Sequence, residues 1–134
     1  MPDPRSILVC DDEAPIRHVI AHRLRGAGFT VREARTGLEG FKAITGAEAF
    51  RPHLIITDYQ MPEMSGIEMA ASLKKFEPAA ATPVLMLTAR GYTLTPEELA
   101  TTNIRHVISK PFGVRVLLDR VQELLDAPCS RIAA

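Results

Sequence analysis

The sequence predicts a doubly wound α/β domain, in which a parallel sheet carries helices on both faces. Short apolar runs rich in β-branched residues alternate five times with longer segments whose apolar residues recur at helical spacing. This alternation indicates a parallel sheet, because each parallel connection needs a crossover, usually a helix. Residues 7–10 and 54–57 are continuously apolar, which is typical of strands buried on both faces.

The first two strand-helix units follow this pattern. After the strand at residues 7–10, a helix begins near Pro15, which suits a first-turn position, and ends where Gly26 interrupts the apolar spacing. Residues 29–33 form a shorter, charged strand, as expected at a sheet edge. The second helix ends near Gly46.

The remaining three units are delimited by turn and capping signals. The strand at residues 54–58 ends in a carboxylate, and turn residues precede a third helix. Residues 84–88 form the fourth strand, and Thr95 with Pro96 begins a short helix. The fifth strand is predicted at residues 106–109. The last helix has an apolar stripe made of Val114, Leu117, Leu118, Val121, Leu124 and Leu125.

Length and composition indicate one soluble domain inside the cell. The chain has 134 residues, and we expect a single domain over 1–134, with its core at about 5–126 and a short tail at 127–134. No apolar run reaches membrane-spanning length, and no secretory signal opens the chain, so a cytoplasmic protein without a membrane partner is expected. Cys10 and Cys129 show no metal-binding or disulfide spacing.

Charge is balanced, with 16 basic and 16 acidic residues. The strong positive field that nucleic-acid binding requires is therefore missing, and no nucleic-acid partner is expected. Locally, the first helix is basic on its predicted outer side, which we interpret as a solvated face. The residues concerned are Arg17, His18, His22, Arg23 and Arg25.

Polar side chains collect at the ends of the predicted interior strands, namely Asp11, Asp12, Asp58, Thr88 and Lys110. In an open parallel sheet the functional crevice lies at the carboxyl ends of the strands. Two unit charges about 4 Å apart repel by roughly 4 kcal/mol at an effective dielectric near 20. A divalent cation with oxygen ligands, such as Mg²⁺, would offset this repulsion and suit phosphate chemistry.

The joint pattern resembles a response-regulator receiver domain of two-component signalling, of the stand-alone chemotaxis-regulator type. The motifs that carry the resemblance are Asp11-Asp12, Asp58, Met61-Pro62, Ser65-Gly66, Thr88-Ala89 and Lys110-Pro111-Phe112. The resemblance covers about residues 5–126. It implies a flavodoxin-like five-stranded sheet in the order 2-1-3-4-5, with helices on both faces.

The resemblance also implies a role for each matching position. Asp58 would be the phosphoacceptor. The implied ligands of Mg²⁺, with Mn²⁺ as an alternative ion, are Asp12, Asp58, the backbone carbonyl of Gln60, and Asp11 through a bound water. The groups implied to bind the phosphoryl oxygens are the Lys110 ammonium, the Thr88 hydroxyl and the Ala89 amide.

One position departs from the family pattern. Val107 stands three residues before Lys110, where many receivers have an aromatic residue that moves on activation. His106 is one residue out of register and should face the opposite side of the sheet. We therefore expect signalling to rely on Thr88 and the loop at residues 90–94, without a rotating aromatic. Loss of partner discrimination in Val107→Ala, with normal phosphorylation, would contradict this hypothesis.

The function implied is that of a phosphoprotein switch rather than an enzyme. A histidine kinase or histidine phosphotransfer protein would phosphorylate Asp58, the domain would assist its own phosphorylation and dephosphorylation, and its affinity for a downstream protein would change. The alternative is a receiver-like interaction module that phosphate does not regulate. An aspartyl-phosphate phosphatase is disfavoured because Gln60 stands where it needs a second carboxylate, and a flavodoxin lacks support because no phosphate-binding loop follows the first strand.

Overall fold

A five-stranded parallel sheet forms the centre of the protein in a computed structural model that describes residues 5–46, 50–89 and 94–126. The strands are β1 (Ser6–Cys10), β2 (Thr30–Ala34), β3 (Leu54–Asp58), β4 (Val84–Thr88) and β5 (Ile104–Ser109). Their order in the sheet is β2-β1-β3-β4-β5, and every neighbouring pair is parallel. The doubly wound fold and the strand order are therefore confirmed.

Helices cover both faces of this sheet. They are α1 (Ala14–Gly26), α2 (Gly37–Thr45), α3 (Gly66–Lys74), α4 (Pro96–Thr101) and α5 (Val114–Asp126), with a short 3₁₀ helix at Glu77–Ala79. Helices α1 and α5 pack on one face, whereas α2 and α3 pack on the other. Within the described ranges, no helix is long and apolar enough to cross a membrane.

Element boundaries agree with the sequence-based predictions to within two residues, and β5 shows the largest shift. It begins at Ile104, not at His106, because a bulge separates its first pair from the rest: Ile104 lies opposite Val84, but His106 lies opposite Leu85. The residue between them is extra, and charged residues before a bulge weaken a strand signal in the sequence. The predicted capping box at Thr95 is present, since its hydroxyl accepts from the Glu98 amide.

His106 and Val107 lie on opposite faces of β5, as predicted; Val107 is the position that departs from the family pattern. His106 is hydrogen bonded to Arg120 of α5, with 3.1 Å between the Arg120 Nε and the His106 Nε2. Val107 packs with the core on the α2 and α3 side. The loop invoked in the signalling hypothesis lies mostly outside the described residues, which resume at Leu94.

The end of β1 packs tightly against two helices. A Cβ built on Gly40 of α2 would lie 2.7 Å from the Cys10 sulfur and 3.0 Å from the Met69 sulfur, so a larger residue there would force these side chains to shift. The two sulfurs are themselves 4.0 Å apart. Burial raises the pKa of the Cys10 thiol, with smaller contributions from the charges of Glu39 and Asp11.

The interpretation of the basic residues of α1 as a solvated face is wrong for Arg17. Only 6 % of Arg17 is exposed, and its Nε lies 3.0 Å from Glu33 Oε1 on β2. Arg25 also pairs with Glu33, at 3.2 Å. Arg17 and Arg25 lie eight residues, or about two turns, apart on the side of α1 that faces β2. Because Arg17 is charged, its burial could not be recognised from the sequence.

Candidate functional site

The carboxyl ends of β1 and β3 bring the predicted acidic residues together. One carboxylate oxygen from each of Asp11, Asp12 and Asp58 lies within 4.8 Å of the others. Asp11 and Asp58 are buried, whereas Asp12 is exposed. The three carboxylates share one pocket because β1 and β3 are adjacent parallel strands that end at the same edge of the sheet.

The Asp11 peptide is held on both sides. Its amide donates to the Ala34 carbonyl at 3.1 Å, and its carbonyl accepts from Arg17 Nη1 at 2.8 Å. Its carboxylate Oδ1 accepts from the Glu13 amide at 2.9 Å. Asp12 is not the cap of α1, since the N-cap position belongs to Glu13, whose side chain makes no capping hydrogen bond. A capping role for Asp12 is thus excluded.

Lys110 is the cation of the site. Its Nζ lies 3.1 Å from Asp58 Oδ1, 3.3 Å from Asp11 Oδ2 and 3.0 Å from Glu13 Oε1. The backbone amide of Lys110 donates to the Thr88 carbonyl at 2.7 Å, which fixes the start of the following turn against β4. Burial by itself lowers the pKa of Lys110, but hydrogen bonds to Glu13 and Asp58 and the charge of Asp11 outweigh it and raise that pKa.

Burial acts on the two inner carboxylates in the opposite sense. It raises the pKa of Asp58, although the hydrogen bond from Lys110 partly offsets it, and the charges of Asp11 and Asp12 add to the rise. Burial likewise raises the pKa of Asp11 against the Glu13 amide and Lys110, which lower it. The ionised site therefore carries more negative charge than one lysine neutralises, and a further cation would stabilise it.

The backbone around Asp58 is fixed by close packing of the turn that follows β3. The Gly66 amide donates to the Tyr59 carbonyl at 2.9 Å, and the Tyr59 amide donates to the Leu87 carbonyl at 2.8 Å. A Cβ on Gly66 would collide with the Asp58 carbonyl oxygen and lie 3.0 Å from Thr57 Oγ1. Helix α3 can thus begin directly beside Asp58 only because Gly66 has no side chain.

Thr88 and Ala89 lie at the same edge, as predicted. The Thr88 hydroxyl is fully buried, and in the part of the chain that the structure describes it has no hydrogen-bond partner. A buried hydroxyl without a partner costs free energy, so the Thr88 hydroxyl is a candidate hydrogen-bond donor to a ligand. A cleft of about 490 Å³ opens over the site and is lined by Asp12, Glu13, Asp58, Tyr59, Gln60, Ala89 and Lys110.

The donor set fits a hard divalent cation. Three aspartates whose carboxylate oxygens lie within 4.8 Å of one another offer the oxygen ligands that Mg²⁺ prefers over nitrogen or sulfur. Gln60, whose backbone carbonyl is the fourth implied ligand, lines the cleft together with Asp12 and Asp58. Of the described residues, no histidine or cysteine belongs to the cluster, which argues against a zinc site.

Two residues of the site were not predicted. Glu13 bonds Lys110, and its place directly after the acidic pair was the available signal. Arg17 bonds the Asp11 carbonyl, and only its position one turn into α1 could have suggested this contact. Glu13 lies in the segment that joins β1 to α1, and Arg17 lies in the first turns of α1, so both are close to the carboxyl edge of the sheet.

Comparison with known proteins assigns the family. The model of the response regulator receiver domain matches residues 7–122 of the chain. This chain belongs to the response regulator receiver family. Receiver domains are signalling phosphoacceptors of two-component systems, interact with histidine kinases and downstream targets, and bind Mg²⁺ in an acidic pocket.

Individual relatives agree with this assignment. This receiver is 36% identical over 121 residues to the phosphate regulon transcriptional regulatory protein PhoB of Pseudomonas aeruginosa, covering 90% of the chain and 52% of that protein. It is 29% identical to a chemotaxis protein CheY homologue of Campylobacter jejuni, covering 89% and 91% respectively. The chain thus spans about half the length of the first curated relatives it matches.

A solved structure shares the fold of this receiver across almost its whole length. The chemotaxis response regulator CheY4 of Vibrio cholerae superposes with a TM-score of 0.80 at 30% sequence identity. The match covers 90% of this chain and 98% of that one.

Proposed function

We propose that this receiver accepts a phosphoryl group on Asp58 in a Mg²⁺-dependent reaction and thereby changes its affinity for a protein target in the cytoplasm. The observation that carries the proposal is the convergence of Asp11, Asp12 and Asp58 within 4.8 Å, with Lys110 bonded to the acceptor carboxylate. A module without phosphate regulation has no need of such a costly cluster. We also propose that residues 1–134 act as a single receiver domain.

The reaction is a displacement at phosphorus. A carboxylate oxygen of Asp58 forms a bond to the phosphorus of a phosphohistidine on a kinase or phosphotransfer protein, while the phosphorus–nitrogen bond breaks. The imidazole nitrogen keeps the electron pair and takes up a proton. Lys110, the Thr88 hydroxyl and the Ala89 amide neutralise and bind the transferred oxygens.

Mg²⁺, or Mn²⁺ in its place, would be held by Asp12, Asp58, the Gln60 carbonyl and a water on Asp11, and would supply positive charge to the phosphoryl oxygens. The same groups would assist hydrolysis of the aspartyl phosphate, so the domain would take part in its own dephosphorylation. The output of the reaction is the phosphorylated domain itself and not a released product, so the proposed role is that of a phosphoacceptor and not of an enzyme.

The proposal is tested with a small-molecule donor. Incubation with acetyl phosphate and Mg²⁺ should add one phosphoryl group to the intact mass, and borohydride reduction followed by peptide mapping should locate it at Asp58. Chelation of the metal should prevent the gain. A mass that never changes with metal and donor present would favour the unregulated interaction module.

Thr88→Val should separate stability from signalling. The substitution removes a buried hydroxyl without a partner in the described structure, so the unphosphorylated protein should gain on the order of 1 kcal/mol in unfolding free energy. Its aspartyl phosphate should form but should change the affinity for a protein partner less than in the wild type. Denaturant melts and phosphate-dependent binding measure the two effects, with Thr88→Ser as the control that retains the hydroxyl.

The phosphodonor is proposed to dock on the cleft between α1 and the turn before α5. This cleft holds about 670 Å³ and is lined mainly by apolar groups, namely Pro15, Ile16, Val19, Ile20, Ala89, Pro111, Phe112 and Val114, with Glu13 and Lys110 at its edge. It therefore adjoins the acceptor site through Lys110. A partner that presents phosphohistidine beside an apolar surface would fit this arrangement.

Val19→Asp should slow transfer from a protein donor about 10-fold or more, because a charge would be buried on docking. Val19 is 50% exposed, so folding should be unaffected. Transfer is measured from a purified phosphotransfer protein that phosphorylates the wild type, and acetyl phosphate should serve both forms equally. Val116→Asp, at a position 48% exposed on α5 and outside the cleft, is the matched control. Equal slowing in both variants would refute the docking site.

A further inference from the structure

Arg17 is a buried cation that no part of the phosphoryl chemistry uses. Its Nη1 donates to the Asp11 carbonyl at 2.8 Å, and its Nε donates to Glu33 Oε1 at 3.0 Å. Its Nη2 lies 3.3 Å from the His18 ring nitrogen Nε2. The guanidinium thus bridges three elements: α1, the edge strand β2 and the loop that carries the acidic pair.

The backbone contact falls on the residue whose orientation decides the geometry of the acidic pocket. The Asp11 amide is tied to Ala34 of β2, and the Asp11 carbonyl is tied to Arg17. With both ends of the residue fixed, its buried carboxylate can turn only about the side-chain bonds. The peptide joining Asp11 to Asp12 is the one whose carbonyl Arg17 holds, so the same contact orients the Asp12 backbone.

Glu33 is the counterion that keeps Arg17 in place. A buried charge is costly unless it is paired and hydrogen bonded, and a guanidinium can satisfy both an anion and a carbonyl from one planar fork. Arg25 also pairs with Glu33, at 3.2 Å, but donates its other bond to the Val31 carbonyl and makes none to the acidic loop. Of the two arginines that pair with Glu33, Arg17 therefore contacts the acidic loop and Arg25 does not.

We propose that Arg17 is a positioning residue for the metal site, which holds the Asp11 carbonyl from α1 and so presents the Asp11 and Asp12 carboxylates to the divalent ion. This inference rests on the proposed function. Groups that orient metal ligands through hydrogen bonds commonly change metal affinity 10- to 100-fold when removed.

The test compares Mg²⁺ affinity by isothermal titration calorimetry in the wild type, Arg17→Ala, Arg17→Lys and Arg25→Ala. Arg17→Ala should bind Mg²⁺ about 10-fold or more weakly. Arg17→Lys should also bind weakly, because one ammonium cannot reproduce the fork, and this variant keeps the test valid if the alanine variant does not fold. Arg25→Ala, which loses a Glu33 pair but no Asp11 contact, should bind like the wild type.

Amide hydrogen exchange in metal-free protein gives a second readout. Exchange at residues 11–13 should rise in the Arg17 variants and not in Arg25→Ala, whereas general loosening of α1 would raise exchange along the whole helix. Wild-type affinity in Arg17→Lys, or exchange that rises uniformly along α1, would overturn the inference. Failure of the wild type itself to bind Mg²⁺ would instead overturn the proposed function, which keeps the two failures distinct.

Discussion

Asp58→Asn is expected to abolish phosphorylation and, without metal, to raise the stability of the protein. The amide cannot act as the nucleophile, so acetyl phosphate with Mg²⁺ should add no phosphoryl group. Burial raises the pKa of Asp58, which means that folding disfavours its ionised form. A neutral side chain of the same shape removes this cost, while Lys110 keeps its contacts with Asp11 and Glu13.

The sign of the pH dependence follows from the same shift. A carboxyl whose folded pKa is raised destabilises the fold above that pKa, and the cost disappears as the pH falls below the unfolded value near 3.9. The stability advantage of Asp58→Asn should therefore be largest above the raised pKa of folded Asp58 and shrink as the pH falls through that pKa. Denaturant melts across this pH range measure it.

Saturating Mg²⁺ should make the wild type more stable than Asp58→Asn. A ligand at 100 times its dissociation constant stabilises the folded state by about 2.7 kcal/mol, and the variant lacks one anionic ligand. Asp126→Asn removes an equal charge from an exposed site outside the cluster, so it should phosphorylate normally and show no crossover. If the Asp58 variant were still phosphorylated, another acceptor would be required and the proposed role of Asp58 would be wrong.

Gly66→Ala is expected to cost about 3 kcal/mol of unfolding free energy and to impair phosphorylation together with it. The added methyl group would meet the Asp58 carbonyl oxygen, which belongs to the backbone and cannot rotate aside. Overpacking of this kind typically costs 1–3 kcal/mol or somewhat more. Relief requires α3 to move away from β3, which displaces the acceptor. Chemical denaturation and the acetyl phosphate assay measure the two losses.

Gly113→Ala is the control for this prediction. A Cβ at Gly113 would have nothing within 4 Å, and its φ lies outside the left-handed region. Its stability should therefore change by no more than about 0.5 kcal/mol, as for other open sites. A stability loss in Gly113→Ala equal to that of Gly66→Ala would show that crowding at the Asp58 carbonyl is not the cause.

Most of the fold followed from apolar periodicity and turn chemistry. The continuous runs of β1 and β3 identified buried parallel strands, and the first-turn prolines of α1 and α4 located helix starts. The start of β5 was missed because a bulge depends on how two strands pair. Ile104 and His106 pair with neighbouring residues of β4, and the periodicity within one segment carries no information about its partner strand.

The acidic pocket could also be predicted, since strand ends are recognisable and parallel strands end at one edge. What escaped prediction depends on contacts between distant segments. Arg17 looked solvated because a charge on a helix usually is, and only its packing against Glu33 of β2 explains its burial. Gly66 looked like an ordinary turn residue, whereas in the structure a side chain at this position would collide with the Asp58 carbonyl oxygen.

The packing at the end of β1 makes Cys10 a natural reporter of opening. The thiolate is the nucleophile that attacks alkylating reagents. A thiol with a raised pKa, buried beneath Gly40 and Met69, ionises little and does not meet solvent while α2 is packed on the sheet. Labelling of the peptide that carries Cys10 would consequently record how often α2 lifts from the sheet. Because Asp11 directly follows β1, binding of an ion in the acidic pocket should lower the rate at which Cys10 is alkylated.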